Sequence, residues 1–252
     1  MKIIRCLSLL LLMLGVASLS KANTNESSIA YNWAKSGLNI RETPWQTAKV
    51  IGAIPFGEAV EILEVTAEYT SIEVRGLFSK EFSKDGNSYY VDGSWVKVKY
   101  EEIVGYAFDG YLSEFPPMRI IEIDEANAYP EGFESYLRRI STPVDSSSFA
   151  KQNSEYWHKK IRFANGGIYE RSGSVGWYEE VFILPEASLK IGFLFFQLAY
   201  DNEQMRTLSG REQLRIIKQS PLLLKFWIGG PSGEYEIYQF GSTLVIRISD
   251  SC

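Results

Sequence analysis

Short stretches in which apolar and polar residues alternate dominate the chain between residues 38 and 112. In residues 95–100, for example, Val96 and Val98 alternate with Lys97 and Lys99. A period of two is typical of a strand that buries one face and exposes the other. Further strands are predicted at residues 38–41, 49–52, 59–65 and 105–108. Because turn signals separate them at close spacing, the pattern predicts a small β-barrel.

The part of the chain after Pro116 and Pro117 also has mostly strand patterns, and these two prolines predict a boundary between two domains. A hairpin is predicted around Asn165 and Gly166. Other predicted elements are strands at 176–184 and 189–200, a closing hairpin at 233–240 and 243–248, and helices at 131–140 and 202–218. The expected fold class is therefore mainly β, with a β-rich or α+β second domain over residues 118–252.

The first 22 residues have the three parts of a secretory signal. Lys2 and Arg5 form a positively charged start, residues 7–16 form an apolar core, and Ser20 and Ala22 are the small residues of a cleavage site. A membrane-spanning helix needs roughly 18 or more apolar residues, and this run is shorter. The sequence therefore predicts a signal peptide over residues 1–22. The mature chain is expected to be periplasmic or secreted, and not an integral membrane protein.

The charge of the chain argues against a nucleic-acid partner, and its cysteine content argues against an internal disulfide. The chain has 26 Lys and Arg and 31 Asp and Glu, a net charge of -5, and the predicted leader contributes three basic residues and no acidic one. The mature chain would therefore carry -8, which argues against a nucleic-acid partner because phosphate binding relies on Lys and Arg. Cys6 leaves with the leader, so Cys252 has no partner for an internal disulfide. An intermolecular disulfide and an inert terminal thiol both stay open for Cys252.

Six short motifs follow one another in a fixed order in the first part of the chain. They are Gly37-Leu38-Asn39-Ile40-Arg41, Val50-Ile51-Gly52, Phe56-Gly57, Trp95 with Val98, Gly105-Tyr106-Ala107 and Tyr111-Leu112. In this order they resemble the bacterial SH3-like domain, over about residues 29–115. The resemblance implies a small barrel with a binding role toward peptidoglycan or an envelope protein partner.

The resemblance also implies where a ligand would bind. The candidates are aromatic and polar residues at the motif positions or beside them: Asn39, Arg41, Trp45, Trp95, Tyr106 and Tyr111. SH3 grooves are generally lined by aromatic residues, which stack on extended peptides and sugars. A barrel this small also uses aromatic residues for burial, so a core role for Trp95 and Tyr106 is the alternative.

One stretch departs from the family pattern. Residues 66–94 form a long insertion that contains Tyr69, Phe78, Phe82, Tyr89 and Tyr90. Its residues Asp85-Gly86-Asn87 predict a hairpin tip. The insertion is either a loop that contacts a ligand or a cover that packs on the second domain. Its aromatic residues favour the cover, because their rings need burial.

The residue types in the chain give little support for an enzyme active site. SH3-like domains often accompany papain-like cell-wall peptidases, but such a site needs a Cys thiolate next to a His. The mature chain has only Cys252 at its end and His158. A zinc site needs about three protein ligands, so neither a metal nor another cofactor is expected. The chain is predicted to be a non-enzymatic binding protein. The alternative is a cell-wall hydrolase with a carboxylate-based site in the second domain, which contains the acidic pairs Asp124-Glu125 and Glu179-Glu180. Neighbours in a strand face opposite ways, so neither pair is itself a catalytic dyad.

Overall fold

The computed structural model describes residues 27–74, 89–122, 128–150, 155–200, 214–228 and 233–251. These residues form mainly strands, which confirms the mainly-β fold class. The predicted leader, Cys6 and Cys252 lie outside the described residues, so the predictions about them are not tested by the structure. The same holds for the predicted hairpin tip at residues 85–87.

The first part of the chain forms one curled, antiparallel, seven-stranded sheet. Its strands are β1 (Ser28–Asn32), β2 (Leu38–Arg41), β3 (Val50–Ile54), β4 (Ala59–Glu73), β5 (Tyr90–Tyr100), β6 (Ile103–Phe108) and β7 (Leu112–Ser113). The strand order is β3-β2-β6-β5-β4-β1-β7. A single 3-10 turn, Asp109–Tyr111, joins β6 to β7, where the sequence predicts a tight turn at Asp109 and Gly110.

Alternation along each strand divides the side chains of this sheet between two cores. Val96, Val98 and Ala107 point inward and form the core of the barrel together with Leu38 and Ile40. Their chain neighbours point to the outer face, as strand geometry requires. The outer residues near one end, Trp95 and Phe108 among them, are also buried, but in a different core. A second layer of the protein therefore covers that part of the outer face.

The second layer is an eight-stranded antiparallel sheet with helices on one face. It contains α1 (Phe133–Ile140), β10 (Pro143–Ala150), β11 (Trp157–Phe163), β12 (Ile168–Ser174), β13 (Trp177–Pro185), α2 (Leu189–Tyr200), β14 (Arg215–Ser220), β15 (Leu223–Trp227), β16 (Glu234–Phe240) and β17 (Thr243–Ser251). The strand order is β10-β11-β12-β13-β17-β16-β15-β14. Both predicted hairpins are present, and α1 confirms the predicted first helix. A separate pair, β8 (Ile120–Glu122) and β9 (Ala128–Pro130), precedes α1.

The prediction of a buried strand at residues 189–200 is wrong, because this segment is the helix α2. Seven of its residues are buried, so it has no polar face that could show a helical period. An apolar run without a period cannot separate a strand from a buried helix, and its length was the better guide. Gly192 lets the helix approach the sheet closely, since a Cβ there would lie 2.8 Å from the Leu244 side chain.

The second predicted helix, at residues 202–218, is also wrong where it can be compared. Residues Arg215–Ser220 form the edge strand β14, which pairs with β15. The remainder of that prediction, up to residue 213, lies outside the described residues. The spacing of Leu208, Leu214 and Ile217 is loose, so it does not distinguish a helix from an edge strand.

The two sheets share one hydrophobic core through α2. The Trp33 ring packs edge-on against Phe195, with 4.9 Å between ring centroids. Tyr89, at the end of the insertion, stacks on Phe193 with 3.8 Å between centroids. Lys190 Nζ donates a hydrogen bond to the Asp109 backbone oxygen at 3.0 Å. The described part of the insertion therefore acts at Tyr89 as a cover that packs on α2.

The segment between the sheets is tied to α1 by polar contacts. The Tyr136 hydroxyl donates to the Pro116 oxygen at 3.0 Å, and the Arg139 guanidinium donates to the Pro117 oxygen at 2.8 Å. Arg139 also forms an ion pair with the buried Glu131, whose carboxylate accepts the Arg119 backbone N–H at 2.9 Å. The predicted boundary at the two prolines thus lies in a firmly held connection.

Candidate functional site

Four side chains on neighbouring strands line up across the outer face of the first sheet. Arg41 of β2 is paired with Tyr106 of β6, Tyr106 with Lys97 of β5, and Lys97 with Glu64 of β4. Paired residues in an antiparallel sheet point to the same side and lie close together. The order across the face is therefore cation, aromatic ring, cation and carboxylate. We call these four residues the outer row.

The half-buried Tyr106 lies at the centre of the outer row, where it also packs against the core shared with the second sheet. The phenol ring is thus held on one side by the protein. Arg41 and Lys97 flank it on the neighbouring strands. An aromatic ring between two cations can stack on a sugar or a peptide while the cations bind a carboxylate.

Arg41 also holds the loop after β2 in place. Its guanidinium donates to the Ala48 backbone oxygen at 2.6 Å. Within the loop, the Ala48 N–H donates to the Trp45 oxygen at 3.0 Å, and the Glu42 N–H donates to the Lys49 oxygen at 3.0 Å. These bonds present the Trp45 side chain, which is 57% exposed, at the β2 end of the outer row.

The structure divides the six binding residues that the sequence predicts. Asn39 is exposed and lies on the same side of β2 as Arg41, and Tyr106 belongs to the same face. Trp45 lies on the adjacent loop. Tyr111 is half-buried and packs against both cores, and its ring centroid lies 6.0 Å from that of Phe108.

Trp95 differs from the others because it is a core residue. Only 4% of its surface is exposed, and its ring packs near Phe108 with 6.2 Å between centroids. It points to the same outer face as Lys97, but the second sheet covers that end of the face. The Trp95 ring is therefore not available to stack on a ligand, and the alternative of a core role describes it.

Sequence reasoning missed two members of the outer row, Lys97 and Glu64. The signal for Lys97 was present, because the alternation in residues 95–100 places Lys97 on the opposite side from Val96 and Val98. Glu64 gave no such signal, since a shift in register between Ile62 and Glu64 breaks the simple alternation of β4.

Glu179 and Glu180 do not form a carboxylate pair. They are neighbours in β13 and point to opposite faces, as strand alternation predicts. Glu179 forms an ion pair with Arg247 on the open face of the sheet. Glu180 interacts with the Tyr169 hydroxyl on the face that carries the helices. The other predicted acidic pair, Asp124 and Glu125, lies outside the described residues.

The partner of His158 is a carboxylate and not a nucleophile. The His158 Nε2 lies 2.9 Å from a Glu170 carboxylate oxygen, and Lys160 Nζ lies 2.7 Å from the other oxygen. Partial burial alone would raise the pKa of Glu170, but the hydrogen bonds from Lys160 and His158 outweigh it and lower that pKa. Within the described ranges no group of three His, Cys, Asp or Glu side chains could hold a metal ion.

Comparisons with known proteins give one match. Neither the curated proteins nor the solved structures that were searched contain a match to the chain. In the described part of the chain, no helix has the length and apolar character needed to cross a membrane. Residues 36–113, which include the whole outer row, match the family model of the bacterial SH3 domain and so confirm the resemblance of this part of the chain.

Proposed function

We propose that the protein is an exported, non-enzymatic binding protein, and that its outer row binds peptidoglycan. A bacterial SH3 domain suggests a role associated with the cell wall or its peptidoglycan. Export rests on the predicted leader over residues 1–22. The observation that carries the proposal is the position of Tyr106 between Arg41 and Lys97 on one open face.

The chemistry of the outer row suits the peptide part of peptidoglycan. These peptides carry free carboxylates, and an Arg guanidinium binds a carboxylate with two parallel hydrogen bonds. Lys97 adds a second positive charge across Tyr106. The Tyr106 ring supplies an apolar surface for the adjoining sugar or peptide backbone. A ligand along the row would thus meet one ring and two cations.

The fold supports the choice of this part of the outer face. The end that carries Trp95 and Phe108 packs against the second sheet and is closed to a ligand. The part with Arg41 and Asn39 remains open, and Val50 and Val104 beside it are exposed. An envelope protein partner could use the same surface, so the experiment has to separate the two.

Retention on purified cell walls tests the proposal. We expect the protein to be retained, and Tyr106→Ala or Lys97→Gln to weaken retention about tenfold, the effect of losing roughly one to two kcal/mol of contact energy. Lys218→Gln is the matched control, because it removes an exposed lysine from the edge strand β14 in the second sheet. That variant should bind like the unchanged protein.

Two results would contradict the proposal. One is no retention of the unchanged protein on cell walls, combined with crosslinking to an envelope protein through the same face. The other is equal loss of retention in Lys97→Gln and Lys218→Gln, which would mean general charge attraction. Release of soluble fragments from labelled peptidoglycan would instead favour the hydrolase.

A further inference from the structure

Six side chains lie along the helix-covered face of the second sheet, at the margin of its hydrophobic core. They are Trp157, Arg171, Tyr178, Glu180, Tyr200 and Tyr235, and we call them the Glu180 cluster. Strand pairing places Arg171 opposite Glu180, and Glu180 and Tyr235 opposite the same residue, Ile248. Tyr200 comes from the last turn of α2. The cluster therefore combines four elements of the sheet with one helix end.

Aromatic rings hold Arg171 in this cluster. Its guanidinium carbon lies 5.4 Å from the centre of the Trp157 ring and 5.6 Å from that of Tyr178. Gly173 makes room for the indole, since a Cβ there would lie 2.7 Å from a Trp157 ring carbon. The Arg171 side chain is exposed, and no ion pair of it is found among the described residues.

Glu180 is the half-buried acid of the cluster. Burial raises its pKa, the negative charge of Glu134 raises it further, and the Tyr169 hydrogen bond and Arg171 oppose the change. Burial raises the pKa of the Tyr200 hydroxyl, and the charge of Glu180 adds a smaller contribution in the same direction. Glu180 therefore lies between α1, which carries Glu134, and the end of α2, which carries Tyr200.

Tyr235 supplies an independent sign of a missing partner. Its side chain is fully buried, and its hydroxyl has no hydrogen-bond partner in the part of the chain that the structure describes. Its ring centroid lies 5.8 Å from that of Tyr200. Buried hydroxyl groups in native proteins are nearly always paired, so one that is unpaired requires an explanation. A ligand hydroxyl bound in the cluster would provide it.

The charges around the cluster decide which ligand fits. An anion would meet Glu134, Glu180 and Asp250, whose negative charges act on the cluster tyrosines and on Glu180. A cation would compete with Arg171, which already occupies the ring faces. A neutral molecule with several hydroxyl groups avoids both conflicts, and aromatic rings next to carboxylates suit the apolar and polar faces of a sugar.

We propose that the Glu180 cluster is a binding site for a neutral sugar, separate from the outer row. The Glu180 carboxylate would accept a hydrogen bond from one sugar hydroxyl, and the Tyr235 hydroxyl would donate a hydrogen bond to another. The Tyr200 ring, whose centroid lies 5.8 Å from that of Tyr235, would pack against its C–H face. The site goes beyond the proposed function, because it lies in the second sheet and requires no contact with peptidoglycan peptides.

Titration of the purified protein with free glucose and free N-acetylglucosamine tests the site, by calorimetry and by NMR of the Tyr200 ring. We expect saturable binding of at least one of them. Glu180→Gln should weaken it about tenfold or more and Tyr235→Phe about fivefold, as expected for losing one hydrogen bond each. The matched controls are Glu179→Gln and Tyr238→Phe, which change the opposite face of the same strands. The outer-row variant Tyr106→Ala should leave sugar binding unchanged.

Thermal unfolding of each variant separates a lost contact from a lost fold, and Tyr235→Phe should keep the melting temperature. The inference would be overturned if neither sugar saturated the protein. Tighter binding of citrate or choline, as the anion and cation probes, would also overturn it. So would equal loss of binding in Glu179→Gln and Glu180→Gln.

Discussion

Replacing Phe195 by alanine is expected to lower the free energy of unfolding by about 3–5 kcal/mol, the range for removing a buried phenylalanine from a core. Phe195 is fully buried. Its ring contacts four aromatic rings, with centroid distances between 4.9 and 5.6 Å: Trp33 directly after β1, Phe133 and Tyr136 of α1, and Phe182 of the second sheet. The loss therefore affects both sheets at once.

Denaturant unfolding followed by tryptophan fluorescence measures this loss. Because the core is shared, a single transition that moves to lower denaturant is expected. Phe240→Ala is the matched control, since this phenylalanine at the end of β16 is 65% exposed, and its removal should cost less than about 1 kcal/mol. A first sheet that keeps its full stability while only the second unfolds earlier would show that the two cores are independent.

The second large effect is expected at Glu131. Glu131→Ala should destabilise the protein by about 3 kcal/mol, because it leaves the partly buried charge of Arg139 without its partner. The carboxylate is 6% exposed and accepts hydrogen bonds from Arg139 and from the Arg119 backbone N–H. The connection between the sheets loses the bond from the Arg119 N–H, and Arg139, which also bonds the Pro117 oxygen, loses the carboxylate that positions it.

A double-mutant cycle with Glu131→Ala and Arg139→Ala separates the pair from its surroundings. We expect a coupling of about 1–3 kcal/mol. The control is Arg138→Ala on the same helix, whose ion pair with Glu134 joins residues four apart at 3.0 Å and is largely exposed. Exposed pairs of this kind contribute about 0.3–0.5 kcal/mol. Equal effects of Arg138→Ala and Arg139→Ala would mean that burial adds nothing to the Glu131 pair.

Local patterns predicted those parts of the fold in which each strand has one buried and one exposed face. The strands from β2 to β6 and the hairpin of β16 and β17 follow alternation and turn residues. The helix α2 could not be recognised by its period, because it is apolar on nearly every side. The strand positions of the second sheet are occupied by other segments of the chain, so residues 189–200 instead form a helix that packs on the face of that sheet.

Likewise, the sequence predicted only part of the candidate site. Arg41 and Tyr106 were found because they lie at motif positions, and their strands are neighbours in the sheet. Trp95 occupies an equivalent position on the outer face, yet it is buried. Nothing in its local sequence shows this, because the core that buries it also includes residues of α2, about 100 positions later in the chain. The Glu180 cluster gave no motif, since it depends on pairing between distant strands.

The shared core has a consequence for the order in which the protein is made. A chain is synthesised from its N-terminus, so β1 to β7 exist before α2 does. The barrel's own core can close at that stage, but Trp33, Trp95 and Phe108 belong to the other core, which is incomplete until Phe193 and Phe195 of α2 are made. During this interval the new chain presents an aromatic patch of the kind that chaperones bind and that leads to aggregation. Folding of the second part of the chain therefore buries the aromatic residues that the first sheet exposes during synthesis.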